Sequence, residues 1–166
     1  MRVGDARNAV SVLGVSGVWQ VQDGTLAQLA GVQAAHHDGY DELTFQFVAP
    51  VTGAALQNLP AYTVTHQSSA GFTKDASGEH VTLDGTAGLR VVMQGSSGFD
   101  NLASTPVQTY TGSTDLHVQL PEVRELAQTG DFERVLSWGV GLRTGACYRV
   151  RELTDPARLV IDVTTG

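Results

Sequence analysis

One pattern constrains this chain more than any other. Apolar and polar residues alternate with a period of two, in short runs cut by glycine-bearing turns. Leu43, Phe45 and Phe47 alternate with Glu42, Thr44 and Gln46. Tyr62, Val64 and His66 alternate with threonines; Leu136, Trp138, Val140 and Leu142 alternate with Ser137, Gly139 and Gly141. Leu159, Ile161 and Val163 alternate with Arg158, Val160 and Asp162. A period of two puts successive side chains on opposite faces of an extended strand, so each run is a strand with one apolar face. Asp38-Gly39, Ser77-Gly78, Asp84-Gly85, Thr144-Gly145 and Asp155-Pro156 supply the turns between them. The expected fold is all-β, a mainly antiparallel sandwich of two sheets with little helix. Thr25 to Ala30 and Pro121 to Leu126 suit either a short helix or a strand. Residues 95–115, rich in Gly, Ser and Thr, read as a long surface loop.

The turns also set registers. Asp38-Gly39 is a strong two-residue hairpin signal. It pairs His37 with Tyr40, His36 with Asp41, Ala34 with Leu43 and Val32 with Phe45. A three-residue loop at 143–145 pairs Val140 with Tyr148 and Trp138 with Val150, placing Gly139 opposite Arg149 and Ser137 opposite Arg151. A four-residue loop at 154–157 pairs Val150 with Ile161, Tyr148 with Val163 and Arg149 with Asp162. Each register gathers apolar residues on one side, which a slip of one residue would undo.

Composition narrows the function. The 166 residues suit a single domain, long enough to bury a core without disulfide or metal support. Ten basic against 17 acidic residues give a net charge of −7, and no basic footprint for nucleic acid is visible. No apolar run reaches the roughly 20 residues of a membrane-spanning helix. The single cysteine, Cys147, excludes an intramolecular disulfide framework and a cysteine-based zinc site. No nucleophile elbow, His-Glu-x-x-His or phosphate-binding loop occurs, so no catalytic residue, cofactor or metal ligand is assigned. Acidic pairs such as Asp131 and Glu133, or Asp38 and Asp41, are what 17 acidic residues produce by chance.

The stretches His36-His37-Asp38-Gly39-Tyr40-Asp41-Glu42-Leu43-Thr44-Phe45 and Asp155-Pro156-Ala157-Arg158-Leu159-Val160-Ile161-Asp162-Val163 carry a resemblance. So do Tyr110-Thr111-Gly112, Gly130-Asp131-Phe132-Glu133 and Trp138-Gly139-Val140-Gly141-Leu142. From about residue 30 to residue 164 the chain resembles the AMIN-like domain proteins of bacteria, relatives of the AMIN domains that target cell-wall amidases and pilus secretins. The resemblance divides the chain into an extension, 1–29, and a domain, 30–166. It implies a non-catalytic β-sandwich at the cell envelope or outside the cell, with a cell-wall glycan or an envelope protein as partner. Family members usually follow a signal peptide or lipoprotein signal; no lipobox cysteine lies near this start, and Cys147 falls in an expected strand.

The candidate binding residues are Arg149, Arg151, Arg158 and Asp162, expected on an outer face over a floor of Gly139 and Gly141, with Tyr40 and His36 at a rim. Arginines hold carboxylates by paired hydrogen bonds, and strand glycines let another group approach the backbone. The blander reading of Arg149 and Asp162 is a cross-strand surface ion pair. In the same vein, His36 sits near Asp41 and His37 packs on Tyr40. Trp138 reads as core, Phe132 as a plug at a strand junction, and Trp19, Tyr40 and Tyr110 as better-exposed aromatics. Two alternatives to wall binding stand beside it: a partner protein pairing with an exposed β-edge, and a small ligand inside the sandwich.

Overall fold

The computed structural model describes the backbone of residues 2–5, 9–14 and 18–21 and all of residues 25–166. In chain order the strands begin with β1 (Arg2–Asp5), β2 (Ala9–Gly14), β3 (Val18–Val21), β4 (Ala27–His37), β5 (Tyr40–Val48) and β6 (Ala61–Gln67). Next come β7 (Gly71–Thr73), β8 (His80–Thr82), β9 (Ala87–Gln94), β10 (Ser96–Ser97), β11 (Phe99–Asp100), β12 (Val107–Gln108) and β13 (Asp115–Leu116). The last four are β14 (Val123–Phe132), β15 (Val135–Leu142), β16 (Tyr148–Leu153) and β17 (Arg158–Thr164). No helix occurs among the described residues.

Two sheets pack as a sandwich. The first has the order β1-β2-β16-β17-β5-β4-β10 and the second β13-β14-β15-β9-β6-β3. Pairing within them is antiparallel except for β10 on β4. The period-two runs explain the core. Leu43, Phe45, Leu159 and Ile161 of the first sheet face Leu89, Val91, Leu136 and Trp138 of the second, all fully buried. Trp138 meets Phe45 and Tyr110 edge-on, with ring centroids 5.9 and 5.8 Å away, an arrangement that the ring quadrupoles favour.

Two of the three expected hairpins are present residue for residue. His37 pairs with Tyr40, His36 with Asp41, Ala34 with Leu43 and Val32 with Phe45; Tyr148 pairs with Val163, Arg149 with Asp162 and Val150 with Ile161. The third does not form. Both edges of β15 are occupied: Gly139 lies opposite Ala127 of β14 and Arg90 of β9, and Ser137 opposite Gly130 and Val92. The chain after Leu142 therefore leaves that sheet. Residues 143–147 cross to the other one, held by Arg143 N–H to the Glu122 carbonyl and Thr144 N–H to the Glu122 carboxylate. Gly139 and Gly141 are thus in a different sheet from Arg149 and Arg151, and they make no floor beneath them.

Three further expectations are corrected. Segment 95–115 carries β10 to β13, and Tyr110 within it is buried against the core instead of exposed. Phe132 is 64% exposed instead of plugging the core. It closes the β14–β15 hairpin against Val135, and Glu133 and Arg134 between them have φ of 49° and 59°, the primed-turn geometry that carries a hairpin tip past the core. Cys147 lies just before β16 and is exposed. The windows 25–30 and 121–126 fall mostly within β4 and β14, so both are strand.

The strand glycines have a clear task. Between β6 and β9 the chain makes an excursion, residues 68–86, that folds back over the outer face of the second sheet. Phe72, Ala70, Leu83 and Ala127 form a small second core there. A Cβ on Gly139 would lie 3.0 Å from the Phe72 ring, and one on Gly141 only 2.1 Å from the Asp84 carbonyl oxygen. These glycines do admit a close approach, but the approaching group is the protein's own strap.

Candidate functional site

The outer face of the first sheet has no such cover among the described residues. Register stacks its side chains in rows. One row runs Arg149, Asp162, Glu42 and Ala35 across β16, β17, β5 and β4. The neighbouring row runs Arg151, Val160, Thr44 and Gln33, and the next carries Arg158 beside Gln46. Asp162 is the hub. It is 4% exposed, and its Oδ2 accepts from Arg149 Nη2 at 2.7 Å, Arg149 Nε at 3.2 Å and Arg151 Nε at 2.8 Å. Arg151 Nη2 donates to Asp162 Oδ1 at 3.1 Å and to Glu42 Oε2 at 2.6 Å.

The two arginines differ in freedom. Burial works against the charge on Arg151, yet hydrogen bonds and attraction from Asp162 and then Glu42 outweigh it and hold its pKa above the usual arginine value. Among the described residues Arg149 has only Asp162 as an ion-pair partner, and its side chain is 46% exposed. Arg158, one row further on, donates through Nε to the Pro156 carbonyl at 3.3 Å. At the opposite end His37 stacks on Tyr40, centroids 4.9 Å apart and planes 19° from parallel, with His37 Nε2 3.5 Å from Glu42 Oε1. The face therefore presents guanidinium donors, carboxylate acceptors and one aromatic platform on a rigid sheet.

The sequence brings Arg149, Arg151, Asp162, Arg158 and Tyr40 to this one face. His36 is not with them. It points to the other side of its strand, where Nδ1 lies 2.7 Å from Asp41 Oδ1. Asp41 is fully buried, and its Oδ2 accepts the backbone N–H groups of Glu122 at 2.7 Å and Val123 at 2.9 Å. His36 thus belongs to the seam between the sheets. Trp19 lies outside the residues whose side chains are described. Glu42 is the site residue that sequence reasoning missed; only the non-local pairing of β17 with β5 sets it beside Asp162.

A family model for the AMIN-like domain matches residues 27–165. The chain belongs to the AMIN-like domain family. No curated protein matches it, and no solved structure does. An AMIN-like domain points to a cell-wall-associated module. Among the described residues of this AMIN-like chain, no helix is long and apolar enough to cross a membrane.

Proposed function

We propose that this AMIN-like chain is a non-catalytic module that holds to the cell wall at the envelope, using the outer face of its first sheet. One observation supports the reading above others: the second sheet's outer face is roofed by residues 68–86, whereas no described segment covers the arginines on the first sheet's outer face. Arg149 and Arg158 are the residues that reach for ligand. Their partners on this reading are carboxylates of wall stem peptides or of anionic wall polymers, bound by paired guanidinium hydrogen bonds. Tyr40 offers a flat surface to a sugar, Glu42 and Asp162 keep Arg151 in place, and Arg151 fixes the spacing between them.

Co-sedimentation with purified peptidoglycan tests this. Wild type is expected to pellet with the wall, and to do so less as salt is raised, because exposed charges are screened within about 10 Å at 0.1 M. The double substitution Arg149→Ala and Arg158→Ala is expected to remain in the supernatant. If wild type does not pellet, wall binding is lost as a reading. If both proteins pellet equally, the assignment to this face is lost.

A partner protein adding a strand to β4 is a second reading with its own observation. Among the described residues β10 pairs only with Ala27 and Gln28, leaving Val32 to His37 as an edge. A groove of about 350 Å³, flanked by Leu116 and Val118, runs beside it. An edge with unused backbone groups is what strand addition requires.

A further inference from the structure

At the far edge of the second sheet, Asp115 and His117 are two residues apart and therefore share one face of an extended segment. Asp115 pairs with Ala127 and Leu116 with Leu126, so the register carries His117 opposite Glu125. We propose that Asp115, His117 and Glu125 form a binding site for one divalent transition-metal cation of the zinc type.

The distances fit. His117 Nε2 lies 3.3 Å from Asp115 Oδ2 and 3.4 Å from Glu125 Oε1, and one donor atom from each residue falls within 4.8 Å of the others. Tetrahedral ligands at zinc bond lengths of about 2.0–2.1 Å stand roughly 3.3–3.4 Å apart. The donor chemistry fits too. Two carboxylates balance the charge of a dication, and an imidazole nitrogen selects transition metals over magnesium and calcium.

Glu125 supplies the independent support. Its side chain is only 7% exposed, and Oε2 accepts the Asp84 N–H at 2.9 Å, which orients the carboxylate as outer partners of metal ligands do. The Asp115 and Glu125 carboxylates converge on the His117 ring, their donor atoms within 4.8 Å of one another, and a dication between two carboxylates offsets the cost of burying one of them. Asp115 and Glu125 also line a cavity of about 380 Å³ with Lys74 and Thr82, which leaves room for a water as fourth ligand.

Calorimetric titration of the chelator-treated protein with zinc chloride decides the matter. The expected result is one equivalent bound, with Asp115→Asn and His117→Gln each weakening association by at least about tenfold. Both side chains are more than half exposed, so these variants keep the fold, checked by an unchanged circular dichroism spectrum. His37→Gln, a change at a histidine outside the site, is expected to leave the affinity unchanged, and magnesium is expected to give no heat. Absence of saturable zinc binding overturns the proposal. So does equal binding by wild type and His117→Gln, or loss of binding in His37→Gln; the contacts of His117 with Asp115 and Glu125 alone then account for the cluster.

Discussion

The two outer faces of this sandwich begin from the same strand geometry and end as opposites. On the second sheet, Gly88, Gly139 and Gly141 strip the surface to backbone, and the strap lies flush on it. On the first sheet, Arg149, Arg151, Asp162 and Glu42 raise a layer of interlocked charge that no described segment covers. The contrast teaches that glycine in a strand marks close approach without saying by what, and that a charged row is informative when no described segment lies over it. Among the described residues, one face is covered by the chain itself and the other is not.

Three substitutions probe the contrast. Gly141→Ala places a methyl group 2.1 Å from a backbone oxygen, which cannot rotate away. The expected cost is about 3 kcal/mol, at the upper end of overpacking penalties, read by urea unfolding, with faster hydrogen exchange over residues 68–86. An Ala variant as stable as wild type would mean that the strap does not sit as described. Among the described residues, Asp162→Ala leaves Arg149 without an ion-pair partner and Arg151 with Glu42 alone. A loss of about 2 kcal/mol is expected, less than for a fully buried pair because both arginines reach solvent. Arg149→Ala, by contrast, keeps Arg151 on Asp162 and should cost under about 1 kcal/mol. If Arg149→Ala destabilises as much as Asp162→Ala, the two faces are equally structural and the first is not spare.

What could be read beforehand divides along the same physical line. The β4–β5 and β16–β17 registers were legible because Asp38-Gly39 and the 154–157 loop reverse the chain within a few residues, and local geometry then dictates every pair. The β15–β16 connection looks equally short, but it changes sheets. Alternation is the same whichever neighbour a strand takes, so nothing local in Trp138 to Leu142 shows that β9 and β14 claim both its edges. Tyr110 is buried although its Gly- and Ser-rich surroundings look like surface. In Asp115-Leu116-His117 the local signal is an Asp and a His at strand spacing; Glu125 joins them only through non-local pairing.

Asp41 has a bearing on how the molecule assembles. Its carboxylate binds amides 81 and 82 residues further along the chain. The β4–β5 hairpin can close early, since its contacts are local, but Asp41 stays hydrated until β14 arrives. Topologies that depend on such distant pairings fold in milliseconds to seconds. Before β14 docks, that carboxylate stands at one end of the hairpin's apolar face of Leu43, Phe45 and Phe47. A charge in that position works against pairing with a second copy, as charges do along unprotected strands.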